Sequence, residues 1–316
     1  MVDPLSDVLT LVNIRSAFSS RFVAAGRWAL RFESYRHIKV GAIVAGDCLL
    51  TADGASSLRL SEGDCYLLTG GRPYEVGSGP GIEPRDGHAV FRASPTPGNV
   101  RYGTADPDAE RTVIVGGSIT LDDVTAALLL DCLPPAVRIP SGSPRAQNLR
   151  PVLGMLEDET AAGPMGAGVM IEHLTRILFV QALRAYLAAG EPVPGWLGAL
   201  NDPQIGAALT LMHQQAVRRW TVAELAAEVG MSRSGFASRF RTLVGVPPLE
   251  YLLRWRMRSA AETLRTSGRT VGSVAAEWGY TSESAFSHAF KRVIGVPPGR
   301  HRVTPPPPPA APVVMR

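Results

Sequence analysis

Apolar and polar residues change rhythm twice along this chain. Up to about residue 140 the apolar positions come in short runs, Val40–Ala45, Cys48–Thr51, Cys65–Thr69 and Thr112–Val115, separated by turn clusters such as Asp53-Gly54 and Glu62-Gly63-Asp64. Many short strands punctuated by Gly and Pro predict a β-sandwich or small barrel. Residues 75–110, rich in Gly and Pro, read as a long irregular excursion. Beyond Pro144 the period becomes helical: Met170, Leu174, Ile177, Leu178 and Leu183 recur at helical spacing, which predicts a helix from about Val169 to Ala189. Glu191-Pro192-Val193-Pro194-Gly195 reads as a stop and a linker, and Pro305–Pro309 opens an extended or disordered tail.

The last third repeats itself. Thr221-Val-Ala-Glu-Leu-Ala-Ala-Glu-Val-Gly230 aligns with Thr270-Val-Gly-Ser-Val-Ala-Ala-Glu-Trp-Gly279. Ser232 to Phe240 then aligns with Ser282 to Phe290, and both copies end in Gly-Val-Pro-Pro, at 245–248 and 295–298. Such density over nearly thirty residues marks one supersecondary unit used twice. Each copy spells a short helix, a tight turn and a second helix. Thr221 and Thr270 stand at N-cap positions, with Glu224 completing a capping box in the first copy and Ser273 replacing it in the second. Gly230 and Gly279 end the short helices, and Ser232 and Ser282 cap the next ones. Phe236 with Phe240, and Phe286 with Phe290, stand four apart and turn one face inward. That is the helix-turn-helix layout.

With the phenylalanines inside, the outward positions are Arg233, Ser234, Ala237, Ser238 and Arg241 in one copy, and Glu283, Ser284, Ser287, His288 and Lys291 in the other. Small and polar side chains suit a helix in a major groove, with cations on the flanks for phosphates. A plain solvated face is the competing reading, and the duplication weighs against it. Leu249–Thr266 bridges the copies with an apolar stripe; Pro248 opens it at N1 and Ser267-Gly268 closes it. At ~1.5 Å per residue this strut spans roughly 27 Å. Successive major-groove faces on one side of a duplex lie ~34 Å apart, so one chain can present two reading helices to the same side of DNA.

Charge sharpens the picture. The whole chain of 316 residues carries +4, but residues 206–302 hold 14 Lys and Arg against 6 Asp and Glu, whereas residues 1–205 hold 17 against 22. A basic third behind an acidic two-thirds points to a polyanionic partner. With 45% hydrophobic and 19% charged residues the profile is that of an ordinary globular protein. The best membrane candidate, Gly168 to Gly190, is broken by Glu172, His173, Arg176 and Arg184. The opening MVDPLSDVLT carries acids and lacks the basic-then-apolar pattern of a signal peptide, and three scattered cysteines, Cys48, Cys65 and Cys132, make no disulfide framework, so a cytoplasmic, nucleoid-associated protein is expected.

The run Ala-Phe-Ser-His-Ala-Phe-Lys-Arg-Val-Ile-Gly-Val-Pro-Pro, residues 285–298, together with the duplicated unit, resembles the DNA-binding domain of AraC/XylS-family transcriptional regulators. Carried over position by position, the resemblance implies base reading by Ser234, Ala237, Ser238, Glu283, Ser284, Ser287 and His288. Backbone contacts are expected from Ser232, Arg233, Arg239, Arg241, Arg254, Arg256, Arg258, Ser282, Lys291 and Arg292, with Arg239 equally suited to an internal ion pair. The Arg and Gln that commonly read bases in this family are missing at Ala237, Ser238 and His288, which shifts weight onto DNA shape.

Upstream, the stretch from Gly46 to Tyr74 resembles the cupin-like sensor barrel that precedes this domain in many family members, and residues 176–186 the helix after it. The fold implied is multidomain α+β: a cupin-like β-barrel sensor at 1–140, a helical linker or dimerisation segment at 145–200, an all-α double helix-turn-helix domain at 205–302 and a disordered Pro-rich tail at 303–316. The resemblance also implies a small-molecule effector, RNA polymerase as a partner and a homodimer. Trp28, Phe32, His37, Tyr66 and Tyr74 are the candidate effector residues, each also suited to a core or rim aromatic. A cupin enzyme needs converging His and carboxylate ligands, yet the first 140 residues hold only His37 and His88, so neither catalysis nor a metal or other cofactor is expected. Cys48 and Cys65 form a redox switch only if they face each other on adjacent strands.

Overall fold

The structure, a computed structural model, describes residues 3–303 apart from positions 13, 15, 37, 97, 122 and 190–192. Nearly all of the tail expected at 303–316 lies outside them. The fold is mixed α+β, in two compact units. One holds the described residues of Ile14–Leu121 and Leu133–Glu191, the other those of Met1–Asn13, Asp122–Cys132 and Pro192–Pro307.

The β unit contains two sheets, with elements numbered in chain order. Strands β1 (Ser16–Ala25), β3 (Ile38–Ala45), β6 (Cys65–Leu68), β9 (Asn99–Gly103), β10 (Arg111–Thr120) and β11 (Ala136–Ile139) form a six-stranded sheet in the order β11-β6-β3-β10-β1-β9. Strands β2 (Ala29–Phe32), β4 (Cys48–Ala52), β5 (Leu58–Leu60), β7 (Tyr74–Gly77) and β8 (Arg85–Asp86) form the second, in the order β5-β4-β7-β2-β8. Phe22, Ile43 and Ile114 from the first sheet share one buried cluster with Leu30, Leu50 and Val76 from the second. The alternation of a strand therefore assigns its faces: even positions of β1 and β10, and odd positions of β3, look into that core. Residues 75–110 are not the irregular excursion their Gly and Pro content suggests. They supply β8, a short helix α2 (Gly87–Arg92) and β9, which pairs in parallel with β1. Their turn residues mark brief elements rather than their absence.

Two helices, α4 (Leu149–Ala162) and α5 (Ala167–Ala188), cover the outer face of the six-stranded sheet. Thr175 of α5 donates its hydroxyl at 3.0 Å to Ser19 Oγ on β1, and Arg21 faces Glu157 of α4 at 3.7 Å. The segment expected as a separate linker at 145–200 thus divides. It packs with the sheet up to the end of α5, because Leu174, Leu178, Phe179 and Leu183 are buried. Cys48 and Cys65 stand in different sheets, both buried as free thiols whose pKa burial pushes up to about 12. The adjacent-strand geometry that a redox pair requires is not present.

The helical unit takes two pieces that sequence reading assigned to the sensor. Helix α1 (Pro4–Val12) and helix α3 (Asp123–Leu130) join α6 (Gly195–Ala199), α7 (Pro203–Gln214), α8 (Val222–Glu228), α9 (Arg233–Val244), α10 (Pro248–Thr266), α11 (Val271–Glu277), α12 (Glu283–Ile294) and α13 (Pro298–Val303). The cause is apolar: Val8, Leu11 and Val12 are buried as α1 packs on α3, α7 and α10. Trp196 of α6 donates its indole N–H to the Leu128 carbonyl at 2.6 Å. Among the described residues no helix is long and apolar enough to cross a membrane.

His213 marks the centre of this packing. Its ring stacks on Trp255 at 3.9 Å, its Nε2 lies 2.8 Å from the Tyr251 hydroxyl and its Nδ1 3.3 Å from an Asp7 carboxylate oxygen. Burial brings its pKa down to about 3, so the imidazole is neutral and the Asp7 contact is no ion pair at neutral pH. Unfolded, the ring takes a proton near its ordinary pKa of about 6.5. The unfolded chain therefore binds the extra proton between that value and about 3, and stability falls as pH falls through the window. The expected loss is about 2 kcal/mol between pH 6.5 and 5. Urea unfolding at the two pH values measures it, and His213→Gln is expected to flatten the slope; an unaltered slope would remove His213 as its source.

Candidate nucleic-acid interface

Local sequence builds the two presenting helices in the same way. Ser232 Oγ accepts the Gly235 N–H at 3.2 Å and Ser282 Oγ the Ala285 N–H at 3.3 Å, so both helices start on a serine cap. Both stop at a left-handed glycine, Gly245 at φ 86° and Gly295 at φ 88°. In front of them, α8 carries the full Thr221/Glu224 capping box. At α11 Thr270 caps the Ser273 N–H, and the Ser273 hydroxyl accepts from Arg269 instead of reaching back.

Phe236, Phe240, Phe286 and Phe290 are fully buried, which fixes the outward face of each helix. In α12 the two rings sit 5.5 Å apart in a cluster with Met257, Ala260 and Leu264 of α10 and Val274 of α11. Ser234 and Ser238 of α9, and Glu283, Ser284 and His288 of α12, are exposed, while Ala237 and Ser287 are half-buried. The Glu283 carboxylate lies close over Gly272, where an added Cβ would stand 2.8 Å from its Oε2. Helix α10 runs 19 residues, about 28 Å at 1.5 Å each. Its C-terminal half belongs to the second core, and its N-terminal half packs on α7 and α9.

The cations sort into two groups. Arg233, Arg241 and Lys291 are exposed and, among the described residues, have no acidic partner. Of the others, Arg239, Arg254, Arg256 and Arg292 are engaged within the fold. Arg239 grips Asp202 Oδ2 through Nε at 3.0 Å and a terminal nitrogen at 2.5 Å, tying α9 to the cap of α7. Arg254 pairs with Glu250 at 2.9 Å and Arg292 approaches the same carboxylate at 3.8 Å. Arg256 donates to the carbonyls of Ala216 and Arg218, closing the turn before Trp220, and burial lowers its pKa. Arg258 is half-buried, with burial again lowering its pKa. Sequence reading missed Thr242, which lines a shallow cleft with Ala237, Ser238, Arg241, Pro247 and Pro248. The α9 period continued one turn would have found it.

In the β unit, Trp28, Phe32, Tyr66 and Tyr74 all belong to the buried cluster; His37 lies outside the described residues. Phe32 stacks on Tyr74 at 4.9 Å, and the Tyr66 hydroxyl fills the space that a Cβ on Gly41 would take. Burial raises the pKa of both tyrosines, so each phenol is neutral. Among the described residues no three His, Cys, Asp or Glu side chains converge as metal ligands do.

Comparison with known proteins finds relatives for both units. A Cupin family profile matches residues 3–188 and a Helix-turn-helix domain profile residues 225–303. An AraC-like transcription regulator of Streptomyces lividans is 44% identical over 306 residues, 96% of this chain and 99% of that protein. One from Streptomyces antibioticus is 42% identical over 308 residues, 97% of this chain and 100% of its own length. Among solved structures, the DNA-binding domain of AdpA in complex with a target DNA is 33% identical, with a TM-score of 0.31, over 32% of this chain and 91% of that one.

Proposed function

Because the chain belongs to the AraC-like transcription regulators, we propose that it is a sequence-specific DNA-binding regulator and not an enzyme. The observation that carries this reading is the matched pair α9 and α12: two serine-capped helices with phenylalanines inward and small polar faces outward, fixed at the two ends of one strut. Exposure supports assigning Ser234, Ser238, Ser284 and His288 to base edges, and Arg233, Arg241 and Lys291, without an acidic partner among the described residues, to phosphates. The hydroxyls offer no bidentate fork, so sequence-dependent DNA shape carries a large share of selectivity.

The β unit takes the effector role, and a bound small organic molecule biases how the helical unit meets DNA and RNA polymerase. A homodimer fits the exposed apolar positions Val169, Met170 and Ile177 on α5 and Met165 beside it. Pairing two chains would present four reading helices to two half-sites.

Selection of random duplex DNA by the full-length protein at near-physiological salt tests the reading. Two short blocks about one helical turn apart are expected. Ser284→Ala with His288→Ala is expected to cost about 1 kcal/mol of discrimination in one block, the scale of single hydrogen bonds, while the salt slope stays put. Binding without an enriched motif, lost steeply as salt rises, would make the protein a non-specific architectural binder instead.

A further inference from the structure

Among the described residues, one charged group on the inner face of the six-stranded sheet has no counter-charge. Strand β3 reads Ile38-Lys39-Val40-Gly41-Ala42-Ile43, and Ile43 belongs to the buried cluster between the sheets. Two-residue alternation then puts Gly41 and Lys39 on the same inner face. Register extends this face sideways: Lys39 pairs with Ser118 of β10, and Ser118 with Phe18 of β1. Ser19, the outward neighbour of Phe18, is buried and bonded to α5, which confirms the parity.

This row differs from the one below it. Gly41 and Gly116 lie under the Tyr66 hydroxyl, which covers that floor, and Ser20 pairs with Gly116 beside them. The Lys39 row holds a lysine, a serine and a phenylalanine that remains 46% exposed although its strand position faces inward. The inner face is therefore open to solvent at this end. Lys39 Nζ donates to Ser118 Oγ at 2.6 Å and stands 5.8 Å from the Tyr35 ring centre. His88, edge-on to Phe32 at 5.4 Å, has its pKa lowered by burial first and by the Lys39 charge second. Among the described residues no carboxylate pairs with Lys39. Burial brings the Lys39 pKa down to about 8, which leaves the ammonium mostly charged at neutral pH in a place that penalises charge. A methionine would fill the same space without that penalty, so the charge itself asks for a partner.

We propose that Lys39 is the anion-reading group of the effector site, and that the effector is a small amphipathic organic acid. Its carboxylate takes a charge-assisted hydrogen bond from the ammonium, and its apolar body lies along the row toward the Phe18 ring. Two strand spacings separate Lys39 from Phe18, about 10 Å, which sets the length of that body to a phenyl-propyl or short alkyl chain. This rests on the effector reading of the β unit given above.

The test uses full-length protein and matched pairs: 3-phenylpropanoate against 3-phenylpropanamide, and hexanoate against hexanamide, titrated by calorimetry. The acid of at least one pair is expected to bind, with its amide about tenfold weaker. Lys39→Met is expected to abolish the preference for the acid, and Lys39→Arg to keep it. Without ligand, Lys39→Met is expected to raise Tm by about 2–4 °C, because a half-buried charge with no counter-charge has been removed. Amides binding as tightly as acids would overturn the anionic class while leaving an effector site in place. No binding by either acid at millimolar concentration, unchanged preference in Lys39→Met, or a lower Tm for that variant would each overturn the proposal. Operator selection without added acid reads the DNA function separately, so the two failures are distinguishable.

Discussion

A chain cut back to residues 193–316 is expected to unfold without a cooperative transition. The cut keeps both helix-turn-helix units but removes α3 and α1, the latter packing on α3, α7 and α10. Val8, Leu11 and Val12 of α1 and Leu128 and Leu129 of α3 are all buried. At about 1.5–3 kcal/mol for each large aliphatic side chain, the loss is on the order of 10 kcal/mol. A whole domain has about 5–15 kcal/mol of stability, so the remainder is expected to be molten or aggregated. Trp196 also loses the Leu128 carbonyl, and His213 its cover from Asp7. Near-UV circular dichroism and thermal unfolding of the shortened chain check this. A sharp transition at the full-length midpoint would show that α1 and α3 are dispensable.

Phe286→Ala carries the second large effect. Its ring is fully buried where α10, α11 and α12 meet, and truncating such a site costs about 3–5 kcal/mol in lost transfer energy and cavity formation. Ser284→Ala, two residues away on the exposed face, is expected to stay within about 0.5 kcal/mol of the parent. The pair separates folding from reading. Denaturant unfolding is expected to find Phe286→Ala alone destabilised, whereas DNA selection finds both altered. Equal stability of the two variants would mean that the Phe286–Phe290 cluster does not hold α12.

The duplicated unit was legible in the sequence because its signals are local. A serine cap, a phenylalanine pair four apart and a terminal glycine each act within one turn of helix, and α9 and α12 begin and end where those residues stand. Strand β1 was hidden for the opposite reason. Its residues Ser16-Ala-Phe-Ser-Ser-Arg-Phe-Val-Ala-Ala25 show no clean alternation, since Ser19 is buried through its bond to Thr175, 156 positions away. The apolar face of α1 is readable in Val8, Leu11 and Val12, but nothing nearby tells that its partners lie in α3, α7 and α10. Lys39 left a trace, a single lysine inside an apolar strand, and its meaning depended on parity that only the register supplies. Arg239 stood undecided between DNA and an internal partner, and Asp202 answers it from 37 positions away. The charge excess of the last third overstates the cations free for phosphate, because Arg239, Arg254 and Arg256 are already engaged by the protein.

Helix α10 belongs to two cores at once, and that dual membership restrains evolutionary change in its length. Inserting or deleting one residue would turn everything beyond it by about 100° and shift it about 1.5 Å, breaking one core to suit the other. Residues on the outward faces of α9 and α12 are under no such constraint, since exchanging Ser234 or Ser284 disturbs no packing. Descendants of this protein should therefore change the bases they prefer far more readily than the number of base pairs between the two blocks. Among divergent operators, the interval is the part expected to persist.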